Sequence, residues 1–305
     1  MKKEIKVKCP AKINLTLEVL NKRQDGFHNI QSVMQTIDLF DILTIKIEES
    51  KNFEIKLSGT SLEIPYDKGN LVYKTAELFF KRKEEKGKRK ESEKLFNTYY
   101  SPFTVLIRIE KNIPVAAGLA GGSSDAAGTL WGLNKLFDNI FSDKELHELC
   151  AKLGSDLNFC LEGGCQLATS RGEILEKITF QEFRLSLIKP KNLGISAKEA
   201  YTKFSELKDK PNLNMTAKMI KALKNGKDIE DFLHNDLEIA LIRDYNKLKT
   251  IKEEIPGSIM SGSGSTFFVL GDNIFKQWVA THCSSDGYWI KNGLKSISYG
   301  VCENK

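Results

Sequence analysis

The run Pro114-Val115-Ala116-Ala117-Gly118-Leu119-Ala120-Gly121-Gly122-Ser123-Ser124-Asp125 is the part of this sequence best suited to holding an anion. An apolar strand ends just before it, near Ile113, and Leu130, Leu133 and Phe137 follow it at helical spacing. A strand, a glycine-rich loop and a helix starting around Ser123 would aim backbone N–H groups and the positive end of a helix dipole at one point, which suits phosphate. The dipole contributes about 0.3–2 kcal/mol, so the N–H groups must do most of the holding. The competing reading of the same residues is a tight connection with close helix packing. Two better-known phosphate loops are excluded: G-x-x-x-x-G-K-[ST] is missing, and Gly262-Ser263-Gly264 runs on to Phe267 rather than completing G-x-G-x-x-G.

A second glycine-serine cluster, Met260 to Thr266, precedes the apolar strand Phe267–Leu270. By itself it is a flexible turn; together with the first it can face a single cleft. Lys12 and Asn14 share one face of a strand by its two-residue period. Asp156 stands on a turn directly after a helix, where a side chain can be aimed into a cleft or used as a cap.

The elements that must position these residues can be read from periodicity. Ile13, Leu15, Leu17 and Val19 alternate with Lys12, Asn14, Thr16 and Glu18, the pattern of a half-buried strand. Leu43, Ile45 and Ile47, then Phe53, Ile55 and Leu57, then Val105, Ile107 and Ile109 repeat it. A helix is predicted over Asn70–Arg82. Another follows Ser142, which forms an S-x-x-E capping box with Glu145, and ends at Gly154 as a left-handed C-cap. Beyond Gly163, strands at Gln166–Ala168, Leu185–Ile188 and Thr266–Leu270 mix with helices predicted at Ala197–Phe204, Met215–Leu223 and Ile229–Leu241. The mixture reads as α+β in two lobes, residues 1–160 and 161–305.

The chain has 305 residues, 41% hydrophobic and 28% charged, so it is neither disordered nor a small stapled scaffold. No apolar stretch reaches the roughly 18–20 residues of a membrane helix, and no membrane partner is expected. The lysine-rich start is broken by Lys8 and Lys12, so it reads as part of the fold rather than a leader. Six scattered cysteines without C-x-x-C spacing, and only four histidines, predict reduced thiols, no protein-built metal site and a cytoplasmic compartment. Net charge is +6, of which four come from Lys81 to Lys94, with eight positive and four negative residues. Such a run reads as a solvated helix end or loop; nucleic-acid binding is the rival reading, without a base-stacking array to support it.

Pro114–Ala127 resembles the central ATP loop of the GHMP kinases, and Ser261–Ser265 resembles their C-terminal glycine motif. Pro10-Ala-Lys-Ile-Asn-Leu-Thr-Leu, Asp25-Gly-Phe-His28 and Leu153-Gly-Ser-Asp156-Leu-Asn-Phe narrow the resemblance to the branch that phosphorylates a cytidine-diphosphate alcohol. The resemblance implies a two-lobed α+β fold, with a ribosomal protein S5 domain 2-like N-terminal lobe and a ferredoxin-like C-terminal lobe. It implies ATP, with Mg²⁺ brought by the nucleotide and Ser123 or Ser124 as a possible protein ligand, bound along Pro114–Ser124. Lys12 and Asp156 become the catalytic pair. Phe27 becomes the residue stacking on cytosine, His28 its hydrogen-bond partner and Asn14 the contact to the alcohol end. A second stacking aromatic is implied within 189–196, where Leu193 stands. The rival within the family is a homoserine- or mevalonate-type kinase. No nucleic-acid partner is expected, and the chain is expected to be a monomer or homodimer. Ala116 and Ala120 stand where glycines are common in the family; at a left-handed position a Cβ costs about 1–2 kcal/mol, and at negative φ nothing.

Overall fold

The computed structural model describes residues 3–88, 103–209, 211, 213–271 and 287–304. Two sheets organise it. The first, of eight strands, has β1 (Glu4–Lys22), β2 (His28–Glu49), β4 (Phe103–Glu110) and β3 (Glu54–Gly59) in that spatial order, with β12 (Cys302–Glu303) outside β1. β5 (Cys165–Ser170) also pairs with β2 and carries β6 (Ile174–Lys177), while β8 (His234–Asn235) pairs with β1. This sheet therefore takes in strands from both sides of residue 160. The second sheet runs β11 (Tyr288–Lys295), β7 (Arg184–Pro190), β10 (Phe267–Leu270), β9 (Ile259–Met260).

Four helices follow one another beside the first sheet: α1 (Leu71–Lys88), α2 (Gly121–Leu136), α3 (Asp143–Leu153) and α4 (Leu157–Glu162). Phe79, Leu130, Leu133 and Leu149 from the first three close a core over Val7, Leu43, Ile45 and Ile107. β1 threads on through two more clusters: Ile13 and Leu15 pack with Leu185, Leu187 and Phe268, and Leu17 and Val19 with Phe204, Leu241 and Phe267. The remaining helices among the described residues are α5 (Ala197–Ser205), α6 (Met215–Lys224), α7 (Asp236–Leu241) and α8 (Asn246–Glu254). Among the described residues no helix is long and apolar enough to cross a membrane, and the five described cysteines are free.

Several expectations need correction. The Ser142–Glu145 capping box forms, but Gly154 has φ 166 and ψ 164, an extended conformation. The next helix starts at Leu157 after a turn at residues 155–156, so the chain passes from α3 to α4 through an extended glycine rather than a left-handed one. Residues 229–241 are not one helix: a single 3-10 turn at Glu230–Phe232 leads into β8, and only Asp236–Leu241 is α-helical. Asn235 is drawn into pairing beside Leu17 of β1 and then caps α7. α2 begins at Gly121, two residues before Ser123. The polar face of β1 is buried as well as the apolar one, because α6 and the loops around Gly118 and Gly262 cover it. In the basic segment, residues 81–88 close α1, and residues 89–94 lie outside the described residues.

Candidate active site

β1 places Lys12 with its backbone N–H bonded to Leu119 O at 3.1 Å and its ammonium bonded to Gly118 O at 3.1 Å. The same ammonium donates to Asn14 Oδ1 at 2.8 Å, and Asn14 Nδ2 donates to Ser32 Oγ at 2.8 Å. Lys12 is 4% exposed, so its ammonium is held by neighbouring protein groups rather than by water. The anionic one is Asp156, whose Oδ2 lies 3.8 Å from Nζ with the carboxylate about one-third exposed. Asp156 precedes α4 but makes no capping hydrogen bond, which leaves its side chain to the cleft. The sequence thus brings together two groups separated by more than a hundred residues.

The glycine loop meets the second cluster edge to edge. Ser261 Oγ donates to Gly118 O at 3.0 Å, and Thr266 N donates to Ala117 O at 3.3 Å. Gly118 has φ +73, and a Cβ there would stand 2.0 Å from Ser261 O, so no other residue fits. Ala116 (φ +49) and Ala120 (φ +57) are both left-handed, so the penalty for a Cβ applies at both. Pro114–Gly118 and Ala120–Ser123 line a cleft of ≈ 1200 Å³ that also takes in Lys12, Asn14, Phe27, His28 and Asp156. Leu119 and Ser124 do not line it: both are turned inward, and Ser124 Oγ is buried with no hydrogen-bond partner.

At the other end, Phe27 is 54% exposed with the Arg171 guanidinium 5.2 Å over its ring. His28 stacks on Tyr201 of α5 with ring centroids 5.4 Å apart and planes 14° apart. Its Nε2 lies 3.1 Å from the Ser205 hydroxyl, which itself donates to Tyr201 O at 2.8 Å. Burial pushes the Tyr201 phenol up from its ordinary value, and the charge of Asp156 adds to that. Leu193 is not in the cleft; it packs in the third core cluster, and its carbonyl accepts from Lys189 Nζ and Ser265 Oγ. The second aromatic of the cleft is therefore Tyr201, eight residues further on. One aromatic on a short helix gives no sequence signal for this.

A buried charge cluster underlies α2. Lys111 Nζ bonds to Asp41 Oδ2 and, at 3.0 Å, to Asp125 Oδ2. Asp41 Oδ1 also accepts from the backbone of Asn112 and Ile113, while Asp125 Oδ1 has no partner. Burial, with the Asp41 charge beside it, raises the Asp125 pKa to about 7 against the pull of Lys111. Burial also opposes the Lys111 charge, but Asp125 and Asp41 outweigh it and hold that pKa above the ordinary lysine value.

A buried lysine–carboxylate pair against a glycine loop at a helix start, inside a two-sheet α/β frame, is the architecture of a small-molecule phosphotransferase. Comparison with known proteins agrees. Residues 70–165 match the GHMP kinases N terminal domain. The chain is 39% identical over 306 residues, 98% of each chain, to the 4-diphosphocytidyl-2-C-methyl-D-erythritol kinase of Thermoanaerobacter pseudethanolicus. A crystal structure of 4-(cytidine 5'-diphospho)-2C-methyl-D-erythritol kinase superposes with TM-score 0.72 at 27% identity, covering 96% of this chain and 100% of that one. A homoserine kinase from Cytophaga hutchinsonii shares the fold, with TM-score 0.72 at 17% identity, covering 100% and 98%. This chain belongs to the GHMP kinase family.

Proposed function

We propose that this protein is an ATP-dependent kinase for the 2-hydroxyl of 4-(cytidine 5'-diphospho)-2-C-methyl-D-erythritol, a step in making isopentenyl diphosphate by the non-mevalonate route. The observation that carries the reading is the Lys12–Asp156 pair, 3.8 Å apart beside the Gly118 carbonyl, in a chain alike from end to end to a kinase of that name. The cleft of ≈ 1200 Å³ exceeds the roughly 300–1000 Å³ of a single-ligand pocket, which gives room for a nucleotide and a second substrate.

In this reading the loop residues that line the cleft, Pro114–Gly118 and Ala120–Ser123, hold the triphosphate, and Leu119 and Ser124 shape the loop from behind. Phosphoryl transfer needs the attacking hydroxyl held in line and the spreading charge neutralised. Asp156 accepts the hydroxyl proton as the oxygen bonds to the terminal phosphorus and the bond to ADP breaks; Lys12 supplies the positive charge. Asn14 meets the alcohol end, His28 reads the pyrimidine edge, and Phe27 and Tyr201 offer their faces to its ring. Mg²⁺ would come with the nucleotide and neutralise phosphate charge, and Ser123, the loop hydroxyl that lines the cleft, would be the protein group to hold it. Among the described residues no cluster of His, Cys, Asp and Glu holds a metal by itself. Residues 161–305 complete the cleft through α5 and the Met260–Thr266 loop.

The test is incubation of the purified protein with Mg-ATP and the cytidine-diphosphate alcohol, with homoserine in parallel. ADP and a new phosphomonoester are expected from the first alone; equal or greater turnover on homoserine would reassign the substrate.

A further inference from the structure

The wall behind Lys12 is backbone. Gly262 has φ +56, and a Cβ built on it would stand 3.0 Å from Gly118 O, 3.2 Å from Lys12 Nζ and 3.3 Å from Asn14 Oδ1. A side chain there would crowd the ammonium, and the positive φ favours glycine besides. Gly262 lies between the end of β9 at Met260 and the start of β10 at Phe267. Bonds within the loop fix Ser261, Gly264 and Thr266, but the Gly262 carbonyl turns elsewhere. It accepts from Asn235 Nδ2 at 2.8 Å, and the same nitrogen donates to Met260 O at 2.6 Å.

Asn235 is 2% exposed and uses its whole amide: two donors on the loop, and an oxygen that accepts from Leu237 N at 2.9 Å. Its backbone is registered against β1, opposite Leu17, on the strand that carries Lys12. The residue therefore links the strand that supplies the lysine to the loop that bounds it. We propose that Asn235 is a positioning residue for phosphoryl transfer, clipping the Gly262 backbone at the distance that holds the Lys12 ammonium between Gly118 O and Asp156. This rests on the kinase reading above.

Two substitutions separate the clip from the helix cap. Asn235→Asp is the same size and Asn235→Ser is smaller; both keep an oxygen at the N-cap position, where Asp and Ser are favoured, and both lose the double donation to the loop. Glu238→Gln is the comparison: Glu238 Oε2 accepts from Met260 N at 2.7 Å and Oε1 pairs with Lys252 at 2.8 Å, so it braces the same strand end without touching Gly262. For the full-length protein, kcat, both KM values and Tm are measured for all four forms. Because a displacement of about 1 Å costs about 10²-fold, kcat should fall about 10- to 100-fold in the Asn235 variants. KM should stay within about threefold, and Glu238→Gln should lose Tm while keeping kcat within about twofold. Asn235 variants with kcat within about twofold of wild type, or falling only as Glu238→Gln does for its loss of Tm, overturn the proposal. Failure of both variants to fold counts against it too, since Asn235 would then serve the fold and not the loop. An inactive wild type is a separate outcome, which removes the kinase reading and this inference with it.

Discussion

Asp125→Asn tests the buried charge cluster beneath the glycine loop. The wild-type carboxyl keeps its proton up to about pH 7 in the folded protein and gives it up near 3.8 when unfolded. Between those values the folded state binds more protons, so stability falls as pH rises, with the loss complete above about pH 7. From pH 6 to pH 8 the fraction protonated integrates to one pK unit, a loss of about 1.4 kcal/mol. The amide has no proton to lose, and its oxygen still faces Lys111. Lys111 stays charged throughout, because Asp41 and Asp125 raise its pKa. Urea unfolding of both proteins at pH 6, 7 and 8 should therefore show the variant gaining on the wild type by about 1.4 kcal/mol across the series. Two parallel lines, with a gap constant to about 0.3 kcal/mol, would mean that Asp125 does not titrate between pH 6 and pH 8 and that the reasoning above is wrong.

Asp156→Asn should lower turnover by about 10²–10⁴, the range for a lost general base, and shift Tm little, because the side chain caps nothing in α4 and Lys12 keeps its bonds to Asn14 and Gly118. Near-wild-type turnover would take Asp156 out of the reaction. Ala116→Gly should stabilise the protein by about 0.5–1 kcal/mol, since relief of about 1–2 kcal/mol at φ +49 exceeds the entropy cost of a glycine. The Ala116 side chain is exposed, so no core contact is lost. A thermal melt reads it as a rise of about 1–2 °C in Tm; the Ala116 methyl lies near Gly194, and a fall would show that this contact is stabilising.

The strands, the Ser142 cap and the glycine loop are legible in the sequence because each is a local pattern: a period, a pair of side chains three apart, a run of residues without Cβ atoms. Lys12 and Asn14 are legible as sharing a face, and the family resemblance supplies Asp156. What periodicity omits is the cover on that face. It predicts that Thr16 and Glu18 look outward, yet they are 0% and 8% exposed. The Lys111–Asp41–Asp125 cluster is invisible for the same reason, since 70 residues separate its two closest-bonded members. Asn235 did leave a trace: an N-cap residue followed by Asp236 and Glu238 ahead of Ile239, Ala240 and Leu241 marks a helix start. Treating 229–241 as one helix hid it.

Burying charged side chains along one strand costs several kcal/mol unless each finds partners, so the polar face of β1 calls for an explanation beyond filling space. Its residues divide the work. Glu18 accepts from Met215 N and Thr216 N at 2.9 and 3.0 Å, capping α6, whose own Asn214 does not. Thr16 meets the Thr216 hydroxyl at 2.9 Å and accepts from Val33 N at 3.0 Å. Asn14 ties to Ser32, and Lys12 carries its charge into the cleft beside Asp156. A slip of one residue would send Ile13 and Leu15 to this face and Lys12 into the core behind it. The partners of Glu18, Thr16 and Asn14 forbid that slip. The pairing of Lys12 with Thr36 and Asn14 with Met34 is thus what sets the lysine's height against the glycine loop. In this strand, the bonds that hold the register and the bonds that place the site are one set.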